Sequence, residues 1–240
     1  MIKLEGINPV TEALKSGRLI SLIIGDKWLQ NNRIKELVDK AEQTGINFEI
    51  VSPEKLNKVS VTEHHQGIIG YVRAPKNWSF KQILSKTDRE LCVLILDHVQ
   101  DPHNLGAILR TCEATMVDAV LIPKKGSVGV TPIVHRVSMG GSIYVPVFQQ
   151  SLYTAIKLLQ TEGVEVIGLD QGGGEIYYDI DLSGAVAFVA GGESRSVSSA
   201  LLDKCDRAVR IPMHGMLESL NVSIATSIVL YERVRQLSTS

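Results

Sequence analysis

The sequence predicts an α/β protein: a mainly parallel sheet covered by helices on both faces, preceded by a smaller α/β unit. Three observations carry this. Runs such as 91–96 and 185–190 are apolar without alternation, the pattern of strands buried on both faces. Segments with apolar residues at helical spacing stand between such runs, which joins the strands through crossover helices. A polar stretch at 74–89, with Pro75, Lys76, Asn77, Lys81, Lys86 and Arg89, divides the chain like an interdomain linker.

The expected organisation is therefore 1–73, a linker at 74–89, and 90–240. In the first unit, 19–24 is a β-rich run. Ile34, Leu37, Val38 and Ala41 then recur at helical spacing, and Gly45 stops that helix. Strands follow at 48–51 and 67–72. Within the linker, Trp78 and Phe80 are expected to tack the connector onto a domain surface. The larger unit reads as strands at 91–96, 119–122, 144–148, 164–169, 185–190 and 208–211. Helices are expected at 105–114, 153–161 and 198–204, with a closing helix at 222–237. In open sheets of this kind the ligand lies beyond the carboxyl ends of the strands.

Composition narrows the function classes. The 240 residues carry 25 basic and 26 acidic side chains, a formal net charge of −1, so a nucleic acid must be met by a local patch. No apolar run approaches the roughly 20 residues of a membrane span, and the N-terminus shows no signal-peptide pattern, so a cytoplasmic chain is expected. Cys92, Cys112 and Cys205 are widely spaced without a CxxC pair and read as buried free thiols. The six histidines form neither HExxH nor a Cys/His cluster, so no metal site is expected.

Three segments carry chemistry, each following a strand. In the first, Asp101-Pro102 turns the chain, Asn104 is placed to cap the next helix, and Arg110 lies six residues on. In the second, Gly191-Gly192-Glu193 follows a buried strand, where glycines let backbone approach a ligand. It lacks both the GxGxxG spacing and a Walker lysine. In the third, Ile211-Pro212-Met213-His214-Gly215 runs to Ser219-Leu220-Asn221, whose polar side chains can cap a helix and bond a substrate.

In their order, these segments resemble the three signature motifs of the SpoU (TrmH-like) RNA ribose 2′-O-methyltransferases: Asn104-x-Gly106-x-x-x-Arg110, Gly191-Gly192-Glu193, and Ile211-Pro-Met-x-Gly215 with Ser219-Leu-Asn221-Val-Ser223. Residues 4–73, with His65-Gln66-Gly67-Ile68, are similar to the family's accessory substrate-binding domain of ribosomal-protein L30e-like α/β fold. The combination is similar above all to enzymes that methylate a guanosine of large-subunit (23S) ribosomal RNA. The resemblance implies a C-terminal SPOUT domain tied in a trefoil knot, an exception to the near-absence of knots. It implies S-adenosylmethionine held by Gly191, Gly192, Ile211, Met213 and Leu220, with Asn104, Arg110, Glu193, Ser219 and Asn221 at the reaction centre. It also implies a homodimer with the site at the subunit interface.

A ribose hydroxyl is a poor nucleophile at neutral pH and must be positioned and relieved of its proton. The family assigns the base to Arg110. A guanidinium stays protonated, so the reading taken here gives Arg110 a bidentate grip on the target phosphate. Ser194 and Ser196 stand where the family usually has glycine. Lys124-Lys125, His135-Arg136, Lys15 and Arg18 are candidate RNA contacts. A transfer-RNA methyltransferase and a catalytically inactive RNA-binding or assembly protein of the same fold are the alternatives. An oxidoreductase or hydrolase lacks GxGxxG, GxSxG and a phosphate loop.

Overall fold

The computed structural model describes residues 1–73, 79–85, 90–193 and 196–239. Trp78, Ser194 and most of the polar stretch expected as a linker lie outside them.

The first unit comprises β1 (Ile2–Glu5), α1 (Ile7–Lys15), β2 (Leu19–Gly25), α2 (Asn32–Gln43), β3 (Asn47–Val51), α3 (Pro53–Val59) and β4 (Ile68–Val72). The strands form one sheet in the order β1-β4-β2-β3, with β2 and β3 parallel and the other pairings antiparallel. Asn31 caps α2 by accepting from the Arg33 and Ile34 N–H groups. Gly45, at φ 70°, turns the chain out of that helix. Leu4, Val10, Leu22, Ile24, Ile34 and Ile68 are buried in the shared core. β1, α1 and α3 were not foreseen from the sequence.

The second unit runs α4 (Phe80–Leu84), β5 (Cys92–Leu96), α5 (Pro102–Ala114), β6 (Ala119–Ile122), α6 (Pro132–Val137), α7 (Gly141–Tyr144) and β7 (Val147–Gln149). It continues through α8 (Leu152–Thr161), β8 (Glu165–Leu169), β9 (Glu175–Ile176), β10 (Val186–Ala190), α9 (Ser199–Leu202), β11 (Arg207–Arg210) and α10 (Val222–Thr239). The sheet order is β7-β6-β5-β10-β8-β11-β9, and every pairing is parallel. Alternate residues of each central strand enter different cores. Cys92, Leu94, Leu96 and Phe188 pack against α5 and α10, while Val93, Ile95, Ala187 and Val189 pack against α8 and α9. Burial on both faces is why those strands read as unbroken apolar runs.

Phe80 ties the connector down as expected: it opens α4, is buried and meets the Phe148 ring with centroids 5.9 Å apart. Two expectations are corrected. Tyr144 does not open a strand: Gly140, at φ 101°, starts the short helix α7, and Tyr144 ends it. Asp101, not Asn104, caps α5, accepting from the His103 N–H at 2.8 Å. Asn104 lies in the first turn and is buried. Cys92 and Cys112 are buried free thiols and Cys205 is half-buried. No helix among the described residues is long and apolar enough to cross a membrane.

The corner between α6 and α7 joins the two units. Ile143 is buried in the first unit's core, the Arg18 guanidinium donates to the Ile143 carbonyl, and the Tyr144 hydroxyl donates to Glu12 at 2.9 Å. The same corner presses on α5. A Cβ on Gly106 would stand 2.6 Å from the Val137 Cβ, and one on Gly141 would stand 2.8 Å from the Leu109 carbonyl oxygen. Gly106 therefore serves helix packing. Arg18 and His135 are structural rather than exposed RNA contacts. His135 is buried, bonded to Ser142 Oγ at 2.7 Å, and burial with the Arg18 charge lowers its pKa to about 4. Lys15 pairs with Glu12, while Lys124 and Lys125 remain exposed.

Phe80→Ala removes a ring buried between the connector and the sheet. We expect a loss of about 3 kcal/mol in a urea titration, with the two-state transition kept. A loss under ~0.5 kcal/mol would show that α4 is not part of the core.

Candidate active site

A cavity of about 390 Å³ opens beyond the carboxyl ends of β10, β8 and β11, three strands adjacent in the sheet. This is where an open parallel sheet places its ligand, and the volume suits a small organic cofactor. Three loops build its walls: Gly191 to Glu193 after β10, Asp170 and Gln171 after β8, and Glu218 to Leu220 before α10. Leu169, Val209, Ile211 and Val222 give it an apolar shelf.

Four of the five residues expected to bind cofactor line this space: Gly191, Gly192, Ile211 and Leu220. Met213 is half-buried and stands outside the lining. Gly192 is required by close approach, since a Cβ there would stand 2.5 Å from the His98 carbonyl oxygen. The loop it crosses is itself held tightly. His98 adopts φ 68°, and its Nδ1 lies 2.5 Å from Asp97 Oδ1. Asp97 is buried, which raises its pKa, but bonds from the Ser198 N–H and the His98 ring outweigh burial and lower it.

Of the residues expected at the reaction centre, Glu193 and Ser219 line the cavity. Asn104, which is buried, and Asn221, which is exposed, lie outside the lining and link the loops after β10 and before α10. Glu193 accepts from the Gln100 N–H at 3.0 Å, the Asp101 N–H at 2.9 Å and Asn104 Nδ2 at 3.1 Å. Asn104 Oδ1 accepts from Asn221 Nδ2 at 3.0 Å. Asn221 Oδ1 accepts from the Ser223 N–H at 2.9 Å and hydroxyl at 2.6 Å, which caps α10. One hydrogen-bonded chain thus runs through all three motifs. Desolvation raises the Glu193 pKa, but the Gln100, Asp101 and Asn104 donors outweigh it and hold the carboxyl below its ordinary value. Glu193 is an ionised clamp at the N-terminus of α5, a place that favours negative charge.

Arg110 is exposed on α5, outside the cavity lining, with no hydrogen bond or ion pair among the described residues. Its neighbour Thr111 bonds Ser227 of α10 at 3.0 Å, which ties this part of α5 to that helix. Asp170, Gln171 and Glu218 were missed from the sequence, and Ser196, noted there only as a departure from the family's glycine, also lines the cavity. The signal for the first two was their place after a buried strand, ahead of Gly172-Gly173-Gly174. Among the described residues no three His, Cys, Asp or Glu side chains gather as a metal site.

Glu193→Gln removes an ionised acceptor. Because the folded pKa is depressed, its contribution to stability is present above the unfolded value near 4.5 and is lost as pH falls through the folded pKa. We expect the melting-temperature difference between wild type and variant to be full at neutral pH and to shrink below about pH 4.5. A difference independent of pH would refute the clamp.

The family model described as the SpoU rRNA Methylase family matches residues 91–231, and one described as RNA 2′-O ribose methyltransferase substrate binding matches residues 3–78. The chain is 37% identical over 241 residues, 96% of each chain, to a Shewanella oneidensis protein named 23S rRNA (guanosine-2′-O-)-methyltransferase RlmB. A solved RNA 2′-O ribose methyltransferase superposes with a TM-score of 0.81 at 26% identity, over 98% of this chain and 88% of that one. The SpoU methyltransferase AviRb from Streptomyces viridochromogenes, in complex with AdoMet, shares the fold with a TM-score of 0.84 at 21% identity, over 99% and 91%. With its three motifs bonded into one chain and both models matched in order, this protein belongs to the SpoU rRNA methylase family.

Proposed function

We propose that the chain transfers a methyl group from S-adenosylmethionine to a ribose 2′-hydroxyl of RNA, the substrate being a guanosine of 23S ribosomal RNA in the cytoplasm. The observation that carries this reading is the hydrogen-bonded chain Glu193–Asn104–Asn221, which fixes the three motif loops around one cavity. The relative's name and the AviRb complex with AdoMet support the substrate and the cofactor.

The residues present fit that cofactor. The apolar shelf of Leu169, Val209 and Ile211 suits an adenine face, and the Asp170 and Glu218 carboxylates in the wall suit a cationic sulfonium and ammonium group. Bound there, S-adenosylmethionine supplies an electrophilic methyl that needs no metal. Gly191 and Gly192 let the backbone reach the ligand, and Leu220 closes the wall beside α10. Glu193 does not take the hydroxyl proton, because its oxygens are already engaged by Gln100, Asp101 and Asn104. Ser219, at the cavity wall, is free to orient the ribose. Arg110 holds the target phosphate through its guanidinium fork, which would bring the hydroxyl into line, its proton passing to solvent water as the methyl is transferred.

The same reading includes a homodimer and a trefoil knot. Met216 is 99% and Leu217 75% exposed, and they continue into the exposed Ile224 and Tyr231 on α10. A second copy of the chain covers this apolar surface, which borders Ser219. The knot involves the loops after β10 and β11 and the start of α10, which meet at the cavity. Residues 1–73 act as the RNA-binding unit and 90–240 as the catalytic one.

Incubation with methyl-labelled S-adenosylmethionine and unmodified ribosomal RNA should place label on one guanosine ribose. Arg110→Ala should lower transfer by at least about 100-fold with cofactor affinity unchanged. Arg110→Lys should fall nearly as far, and substantial turnover by the lysine variant would exclude the fork. Label on transfer RNA alone would move the substrate, and absence of cofactor binding would leave an inactive RNA-binding protein. Tyr231→Glu should convert a dimer in light scattering to monomer, and a monomeric wild type would contradict the dimer.

A further inference from the structure

A second cavity, also about 390 Å³, lies between the two units, away from the first. Trp28, His64 and His65 border it from the first unit, and Arg136 and Met139 from the α6–α7 corner. None of the three motifs reaches it.

Its aromatic wall is built, not incidental. A Cβ on Gly67 would stand 2.0 Å from Trp28 Cγ, and one on Gly25 would stand 2.5 Å from Trp28 Cε3. The indole therefore lies against the backbone of two glycines, and His65 meets it edge-on with centroids 5.5 Å apart. His65 is locked in turn: its Nδ1 accepts from the Gly67 N–H at 3.1 Å and its Nε2 donates to Asn57 Oδ1 at 2.9 Å. The preceding loop is anchored by the fully buried Glu5, which accepts from the Thr62 N–H at 2.9 Å and hydroxyl at 2.6 Å. Gln66 and Met139, on facing walls, hold φ values of 51° and 54°, a conformation non-glycine residues seldom adopt without cause.

The opposite wall carries an unanswered cation. Arg136 lines the cavity, its Nε is buried without a hydrogen-bond partner, and among the described residues no ion pair engages its guanidinium. The remaining N–H groups of such a guanidinium suit an anionic acceptor in the cavity. A stacking platform and an unpaired guanidinium across one cavity match a nucleotide with its base unstacked, the base on the indole and the phosphate on the arginine. Glu63 also lines the cavity, and its carboxylate repels a phosphate, which leaves Arg136 as the phosphate's partner.

We propose that this cavity takes one unpaired nucleotide of the RNA substrate, its base stacked on Trp28 and its phosphate held by Arg136. The proposal rests on the RNA-methyltransferase reading and adds to it a second, non-reacting contact on the same RNA. The contact sits where it can set register. Arg136 is followed directly by Val137, which packs on Gly106 of α5, the helix that carries Arg110.

Trp28 reports on the site itself. In a Trp78→Phe background it is the sole tryptophan, and base stacking quenches its fluorescence. A short unpaired RNA oligonucleotide of mixed sequence should quench it saturably without cofactor present. Arg136→Gln should weaken that binding about tenfold and reduce the salt slope by about one. Trp28→Phe, in the wild-type background and followed by filter retention, should weaken RNA binding about fivefold. Both variants should keep wild-type circular dichroism and affinity for S-adenosylmethionine, which separates loss of contact from loss of fold. If the full chain methylates ribosomal RNA while Trp28 stays unquenched, the proposal fails and the function stands. If guanosine 5′-monophosphate quenches as strongly as the oligonucleotide, the cavity is a free-nucleotide site and the RNA contact is refuted. Failure of both transfer and quenching would overturn the function, and the proposal with it.

Discussion

The Glu193 carboxylate organises the site by spending its acceptors inside the protein. It takes two backbone N–H groups of the loop before α5 and the amide of Asn104, and Asn104 passes the connection to Asn221 at the start of α10. Segments about ninety and one hundred and twenty residues apart are thus tied by side-chain hydrogen bonds. Asn104 is the buried member, so a partner removed from it leaves an amide group short of a hydrogen bond, while the exposed ends at Glu193 and Asn221 can turn to water. Two of the cavity's walls, the loops after β10 and before α10, are thus held together through α5.

Glycine sets the distances that the polar chain then fixes. Gly192 lets the loop after β10 cross the His98 backbone, and Gly106 lets α6 seat Val137 on α5. The first contact lies in the loop that leads into α5 and the second on α5 itself, which carries Asn104 inward and Arg110 outward. That helix also faces the α6–α7 corner, where the first unit docks through Arg18, Ile143 and Tyr144.

The parallel sheet was legible because its central strands are buried on both faces, and β5, β6 and β10 stand within a residue of their expected positions. The short elements were not. α7 is four residues set by the left-handed Gly140, and β9 is two residues paired to β11, so neither carries a periodic signal. The motif residues were legible as a set through their order and the family resemblance, while their individual tasks were not. Asn104 looked like a helix cap because its spacing fits one, yet Asp101 holds that place and frees Asn104 for a contact 117 residues away. The cavity between the units was invisible in the sequence, since its walls come from four separated segments and its arginine is marked only by lacking a partner.

The central claim is that the three motifs act as one bonded unit around the cofactor cavity. A double-mutant cycle between Asn104→Ala and Asn221→Ser, read as S-adenosylmethionine affinity by calorimetry, tests it most directly, because serine keeps a helix cap but is too short to reach Asn104. The account predicts a coupling of about 1 kcal/mol or more, with the double variant little worse than either single one. Strictly additive losses would contradict it and reduce the chain Glu193–Asn104–Asn221 to three independent contacts.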